Sequence, residues 1–255
     1  MISALFGLQG KTALITGSSK GLGLVFARGL GQAGATVVLN SRNQENLHKA
    51  VKKLSGEGIN AFGYPFDITR SDEINKNVRA IEKEVGPIDI LVNNAGVQLR
   101  GDLAQIEESM WRTVIDTNLT GAFLTAQQVV RGMIARKSGK IINICSLMSE
   151  LGRNTTGPYT SSKGGLKMLT KAMVADWAKH NIQINGIGPG YFITEMTQVL
   201  ADNPEFDSWL KKRTPAERWG KPEELVGTLI FLASDASNFI NGQIIYVDGG
   251  ILACL

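Results

Sequence analysis

The stretch Thr12-Ala13-Leu14-Ile15-Thr16-Gly17-Ser18-Ser19-Lys20-Gly21-Leu22-Gly23 passes from an apolar segment through a glycine turn into a helical pattern over Phe26, Ala27 and Leu30. Each glycine has a physical use in that setting. Gly17, Gly21 and Gly23 permit a tight turn, let backbone N–H groups approach a pyrophosphate and let the helix pack near the sheet. The helix N-terminus adds partial positive charge. Ser19, Lys20 and Leu22 belong to the same turn and are expected beside the same phosphates. A glycine pattern alone also fits a compact strand-to-helix turn that binds nothing, so the surrounding sequence must decide.

Working outward, Thr12–Thr16, Thr36–Asn40, Ala61–Phe66, Asp89–Asn93, Lys140–Cys145, Gln183–Ile187 and Gln243–Val247 read as seven strands separated by longer amphipathic segments. Ile90-Leu91-Val92 and Ile141-Ile142 are apolar without alternation, as in strands covered by helices on both faces. This pattern predicts an α/β fold, a doubly wound seven-stranded parallel sheet of Rossmann type, in a single domain over residues 1–255. Asn43 is placed to cap the second helix, Ser71-Asp72-Glu73 to open the third, and Pro222 with Glu223 and Glu224 to start the last. Ser109–Lys137 predicts one unusually long helix. The connection from about 190 to 220 far exceeds the roughly 2–6 residues usual in such units and is expected to form a substrate lid.

Open parallel sheets bind ligands at the carboxyl ends of their strands. Strand two ends Asn40-Ser41-Arg42, where a chain binding NAD would carry an acid for the ribose 2′-hydroxyl. Arg42 stands there instead. With Lys20 it is placed to meet a 2′-phosphate, so NADP is the expected cofactor and NAD the less favoured one. Singly, each would read as a solvated loop charge. Asp67 and Ile68 after strand three, and Asn94, Ala95 and Gly96 after strand four, occupy equivalent strand ends. Asn93 fits the satisfaction of turn backbone.

Ser146 closes the fifth strand, Tyr159 follows thirteen positions later, and Lys163 lies one helical turn beyond on the same face. A phenol with a reference pKa of about 10 is a poor base at neutral pH. Lowering it by about three units takes roughly 4 kcal/mol of preferential stabilisation, which an ammonium in a dry pocket can provide. Ser146 then holds the substrate oxygen by a hydrogen bond. A tyrosine four residues before a lysine is by itself common helix surface. Joined to the glycine turn and Asn93-Asn94-Ala95-Gly96 in this order and spacing, the set resembles the short-chain dehydrogenase/reductase family, from Gly10 to Gly250.

The resemblance implies a nicotinamide-dependent oxidoreductase acting on a CH–OH group without a metal, the nicotinamide taking the hydride and Tyr159 the proton. It implies that Asn118 is a fourth catalytic residue, relaying protons through water to Lys163. Lys163 would also hold the nicotinamide ribose, and Pro189, Gly190, Ile193 and Thr194 would contact the nicotinamide amide. Gly188 departs from the larger residue commonly found there.

Three stretches, Leu147 to Arg153, Val97 to Arg100 and Lys211 to Gly220, resemble the branch of that family that interconverts gluconate and 5-keto-gluconate. Substrate binding is accordingly expected at Arg100, Ser146, Glu150, Arg153 and Tyr159, with Gln98 and Ser149 available for hydroxyls. Arg100 and Arg153 are the candidates for a carboxylate, although each also reads as a loop salt bridge. Leu99 stands where close relatives tend to carry another arginine. The nearest rival is a 3-oxoacyl carrier-protein reductase, docking an acidic carrier on groups such as Arg131 or Lys171. A non-catalytic dinucleotide sensor is the rival from another class, and the presence of Tyr159 and Lys163 argues against it.

A chain of 255 residues with 43% hydrophobic content buries a sizeable core. Its net charge of +4 is dispersed, with no basic run longer than Lys211-Lys212-Arg213, which speaks against a nucleic-acid partner and for a small anionic one. No apolar stretch approaches the roughly 18 residues of a membrane span. The only two cysteines, Cys145 and Cys254, form neither a disulfide framework nor a metal motif, and a cytoplasmic location is expected. Cys145 is expected to point away from the Ser146 side as a small core residue. His48 and His180 read as helix surface. The resemblance further implies a homotetramer, with Ser109–Lys137 and Pro158–Lys179 at one interface.

Overall fold

The structure is a computed structural model that describes residues 5–195 and 197–254. The chain runs β1 (Thr12–Ile15), α1 (Gly21–Gln32), β2 (Thr36–Ser41), α2 (Gln44–Gly56), β3 (Ala61–Pro65), α3 (Ser71–Glu84), β4 (Ile90–Asn93), α4 (Glu108–Ile115), α5 (Gly121–Arg136) and β5 (Gly139–Ile144). It continues through α6 (Gly157–Trp177), β6 (Ile182–Pro189), α7 (Gln198–Ala201), α8 (Pro204–Arg213), α9 (Val226–Ala233) and β7 (Ile244–Val247). The seven strands form one parallel sheet in the order β3-β2-β1-β4-β5-β6-β7.

Every residue of β1, β4, β5 and β6 is buried, which is why runs such as Ile90-Leu91-Val92 and Ile141-Ile142 are apolar without alternation. One face of the sheet packs against Phe26 and Leu30 of α1, Leu47 and Leu54 of α2 and Leu229 of α9. The other packs against Ile74 and Val78 of α3, Val129 and Met133 of α5 and Met173 of α6. Each such side chain contributes roughly 1.5–3 kcal/mol by leaving water. The strand order reverses between β1 and β4, and that reversal opens a crevice at the carboxyl end of the sheet.

Local signals account for the starts of α2 and α3, whereas Pro222–Leu225 forms a 3-10 turn and α9 begins only at Val226 rather than at Pro222. Asn43 accepts a hydrogen bond from the Asn46 N–H at 2.8 Å as the cap of α2, and α3 begins at Ser71. The long helix expected over Ser109–Lys137 is interrupted: a π turn at Asp116–Thr120 separates α4 from α5. Its single extra residue leaves the outer periodicity intact, so the sequence pattern hides it. Packing supplies the reason, because Asn118 in the turn is buried and Gly121 lies so close to Ile68 that an added Cβ would sit 2.8 Å from its Cδ1.

The long connection after β6 is not a free loop. Its ends meet in a bridge between Phe192 and Gly220, and the Gly220 N–H donates to the Tyr191 carbonyl at 2.9 Å. Between those ends α7 and α8 carry Leu200, Phe206 and Leu210 onto Leu147, Trp219 and Ile251 as a separate small core.

Candidate active site

The crevice at the strand-order reversal is a cleft of about 630 Å³ that runs from the glycine turn to the segment after β6. Its first half is made largely of backbone. Gly17 has φ +63°, and a Cβ there would lie 2.7 Å from the Ala95 Cα; one at Gly23 would lie 2.5 Å from the Gly17 carbonyl oxygen. Gly21 has φ +57° and open space where a Cβ would be. Among the described residues no side chain caps the N-terminus of α1, and no acid occupies its first turn. The turn therefore offers N–H groups and partial positive charge to an anion, and its geometry fits a dinucleotide pyrophosphate.

Polar side chains fasten this turn to the neighbouring strands. Thr16 Oγ1 accepts from the N–H groups of Asn94 (3.0 Å) and Ala95 (3.1 Å), while the Asn94 side-chain amide donates to the carbonyls of Thr16 (2.9 Å) and Gly17 (3.0 Å). Asn40 accepts from the Gly17 N–H at 3.3 Å and donates to the Phe66 carbonyl at 3.0 Å. Asn93 donates to Asn143 Oδ1 at 2.9 Å and to the Ala122 carbonyl at 3.3 Å, joining β4 to β5 and α5 rather than satisfying the turn backbone its position suggested.

At the rim, Arg42 approaches Asp67 at 3.5 Å and Lys20 approaches Glu195 at 3.7 Å. Burial pushes the Asp67 carboxyl up, but the Thr69 N–H and hydroxyl together with Arg42 outweigh it and hold the group below its usual range. The two basic side chains are more than two-thirds exposed, so these pairs are weak and either cation can turn to a stronger anion.

Ser146, Tyr159 and Lys163 all line the inner wall of the cleft. Ser146 Oγ accepts from the Met148 N–H at 3.2 Å, and among the described residues nothing takes its hydrogen, which is available to an acceptor entering the cleft. Ser149 accepts from the Ser146 N–H at 3.3 Å and donates to the Lys163 carbonyl at 2.9 Å, tying that turn to α6. Lys163 is buried, its Nζ donates to the Ile144 carbonyl at 2.6 Å, and the same nitrogen stands 5.6 Å from the centroid of the Tyr159 ring. A phenol close to a buried lysine, on the same wall as a hydroxyl donor, is suited to moving a proton to and from an alcohol oxygen.

Asn118 lies behind this wall. Its Oδ1 accepts from the Val97 N–H at 2.8 Å, and its Nδ2 donates to the Val97 carbonyl at 2.9 Å and to Ser162 Oγ at 3.0 Å. Both amide hydrogens are thus engaged in joining the β4 end to α6. The π turn is what brings the side chain inward.

Of the expected cofactor residues, Gly17, Ser19, Lys20, Gly21, Leu22, Gly23, Arg42, Asp67, Ile68, Asn94, Ala95, Gly96, Pro189, Gly190 and Thr194 line the cleft together with Tyr159 and Lys163. Ile193 does not: its side chain is exposed, its N–H is taken by Gly220, and Phe192 lines the wall in its place. Among the expected substrate residues, Arg100 and Arg153 reach the cleft. Glu150 is not brought there. It accepts from Lys167 and, at 2.6 Å, from the Tyr246 hydroxyl, which together hold its carboxyl below the usual range. Cys145 is buried against Ala122 and Leu166, and burial raises its thiol to about 11.

Sequence reasoning missed Phe192, Tyr191, Met148, Leu200 and Thr156 in the wall. Adjacency to Pro189-Gly190 was a usable signal for the first two. Leu200 reaches the wall through the fold of the long connection and left none.

Comparison with known proteins agrees with this architecture. The chain matches the short chain dehydrogenase family over residues 11–205. It is 52% identical to the 5-keto-D-gluconate 5-reductase of Escherichia coli (strain K12) over 251 residues, 98% of this chain and 99% of that protein. It is 51% identical to the 2-dehydro-3-deoxy-D-gluconate 5-dehydrogenase of Formosa agariphila, covering 98% of this chain and 96% of that one. The crystal structure of a gluconate 5-dehydrogenase from Burkholderia cenocepacia J2315 in complex with NADP and tartrate superposes with a TM-score of 0.97 at 49% identity, over 100% of both chains. A cleft built this way on a sheet of this order, in a chain so similar to these along nearly its whole length, leaves one assignment: the chain belongs to the short-chain dehydrogenase family.

Proposed function

We propose that the protein catalyses reversible hydride transfer between NADP(H) and C5 of a six-carbon sugar acid, interconverting gluconate and 5-keto-gluconate. The observation that carries this reading is one continuous cleft with three parts: a cradle for a dinucleotide, the Ser146–Tyr159–Lys163 wall, and two arginines, Arg100 and Arg153, at the substrate end. The high identity to the sugar-acid enzymes named above supports the substrate class, and the NADP in the Burkholderia structure supports the cofactor.

The backbone of Gly17 to Gly23 would hold the pyrophosphate, and Arg42 with Lys20 the 2′-phosphate. When bound, NADP supplies the hydride acceptor in oxidation and NADPH the donor in reduction. Tyr159 as phenolate removes the proton from the C5 hydroxyl, and in reduction returns it to the C5 oxygen. Ser146 donates a hydrogen bond to that oxygen throughout. Lys163 supplies the positive charge that favours the phenolate. Asn118 fits a positioning role, holding the loop after β4 against α6, since its amide hydrogens are already engaged.

The segment from about 190 to 220 acts in this reading as the cover of the substrate end, within a single domain. A homotetramer is supported by exposed Trp111 on α4, Phe123 on α5 and Met168 on α6, which form apolar surface on the helices expected at an interface. Among the described residues no helix is long and apolar enough to cross a membrane. A cytoplasmic location is part of the proposal and rests on the two cysteines that form no disulfide framework.

The test is an assay of NADPH oxidation with 5-keto-gluconate and with an acetoacetyl thioester, alongside NADP reduction with gluconate and with 2-dehydro-3-deoxy-D-gluconate. Hexonate turnover at least about 100-fold above that of the thioester is expected. Turnover of the thioester alone overturns the proposal in favour of a carrier-protein reductase.

A further inference from the structure

Two arginines line the substrate end of the cleft, and the structure holds them very differently. Arg100, on the loop after β4, is exposed and has no hydrogen-bond or ring partner among the described residues. Arg153 is half-buried. Its guanidinium carbon lies 4.6 Å from the centroid of the Phe206 ring and 6.0 Å from that of Trp209, and its Nη1 donates to the Tyr191 hydroxyl at 3.1 Å. These three aromatic residues belong to the segment that closes the substrate end, and they pack edge-on or tilted against one another and Trp219.

The backbone beneath Arg153 is fixed as firmly. Its carbonyl accepts from the Thr156 N–H at 3.2 Å and the Thr156 hydroxyl at 2.7 Å. The intervening Thr155 takes φ +65°, a conformation that a β-branched residue adopts only where its surroundings impose it. The Thr155 carbonyl accepts from the Gly101 N–H at 3.1 Å, joining the loops that carry the two arginines.

Among the described residues no carboxylate pairs with Arg153. A guanidinium held from behind by an aromatic face and one phenol oxygen keeps most of its N–H groups for another acceptor, and its fork matches a carboxylate. Being ordered already, it loses less freedom on binding than Arg100.

Resting on the function proposed above, we infer that Arg153 is the residue that selects substrates bearing a carboxylate, and that Phe206 and Tyr191 are positioning residues that aim it. Because those two residues belong to the covering segment, engagement of the carboxylate by Arg153 also ties the covering segment to the bound substrate.

The experiment compares wild type, Arg153→Met, Arg100→Met and Phe206→Leu on 5-keto-gluconate and on L-sorbose, which carries a hydroxymethyl group in place of the carboxylate. Arg153→Met keeps an apolar stem against the rings while losing the charge. The ratio of kcat/KM for acid over neutral ketose is expected to fall about 100-fold in Arg153→Met and less than about fivefold in Arg100→Met. Phe206→Leu is expected to raise KM for the acid about fivefold with kcat little changed. Calorimetric titration of gluconate onto the NADPH-bound enzyme, where no reaction proceeds, is expected to show the same loss of affinity in Arg153→Met.

Equal losses on both ketoses in Arg153→Met, or a larger shift of the ratio in Arg100→Met, overturn the assignment of Arg153 and leave the proposed function standing. A wild type that neither binds gluconate nor reduces 5-keto-gluconate overturns the proposed function itself, and the assignment with it.

Discussion

The two ends of the cleft are built by different means. The cofactor end is a backbone device, in which glycines at 17 and 23 let two stretches of main chain nearly touch, and Thr16, Asn40 and Asn94 hold those stretches in place. The substrate end is a side-chain device, in which Arg153 rests on rings from a segment many residues away in sequence. A backbone device tolerates almost no change at its close contacts but recognises a feature common to all dinucleotides. A side-chain device is replaceable one residue at a time, which suits the part that chooses the alcohol.

Tyr159 stands between these two ends, and removing its hydroxyl has the largest expected effect. Tyr159→Phe lowers kcat for 5-keto-gluconate by about a thousandfold while NADPH affinity, followed by fluorescence titration, changes only a few-fold. Retention of a tenth of the activity would place the proton transfer elsewhere. The next largest effect tests the backbone device. Gly17→Ala must relieve both a left-handed φ and a 2.7 Å contact with Ala95, so the Kd for NADPH rises by about 100-fold and the melting temperature falls by several degrees. An unchanged Kd would show that the turn yields and that the close approach has no bearing on binding.

The same contrast explains what the sequence made readable. Strand ends, glycine spacing and the Tyr159–Lys163 face follow from local periodicity, so the sheet and most of the cofactor half were legible residue by residue. Glu150 was expected beside the substrate because it lies in the Leu147–Arg153 stretch that carries the resemblance. Its Lys167 and Tyr246 partners come from α6 and β7, contacts that no local pattern displays. Ile193 failed through a shift of one position, because the bridge of Phe192 to Gly220 sets which side chain of that turn faces inward. The π turn at Asp116–Thr120 was hidden because an inserted residue leaves the amphipathic pattern on either side undisturbed.

Smaller effects sharpen the boundary between the two ends. Arg42→Ala lowers the preference for NADPH over NADH by about tenfold in kcat/KM, through the 2′-phosphate alone, and leaves the acid-over-neutral substrate ratio where it was. A change in that ratio would mean that the two ends are coupled. Glu150→Gln is expected to change KM for 5-keto-gluconate less than about twofold, because Glu150 lies off the cleft and its ion pair is partly exposed.

Glu150 instead predicts a pH signature in stability. Lys167 and Tyr246 depress its folded-state pKa, so the stabilisation is present above the ordinary glutamate value of about 4.3 and is lost as pH falls through the lower folded value. Thermal melts of wild type and Glu150→Gln therefore differ at pH 7, and the difference shrinks as the pH falls below the ordinary glutamate range and through the lowered folded-state value. A difference that persists unchanged into acid would assign the effect to packing rather than charge.

In the proposed function the chain passes a hydride to C5 of a sugar acid with Tyr159 supplying the proton. This is tested most directly by reducing 5-keto-gluconate with NADPH carrying deuterium at both positions of the nicotinamide C4 and locating the label in the product. Gluconate with one deuterium, at C5, is expected from the wild-type enzyme, and almost no labelled product over the same period from Tyr159→Phe. Label at another carbon, or consumption of an acetoacetyl thioester with the hexonate left untouched, would contradict it.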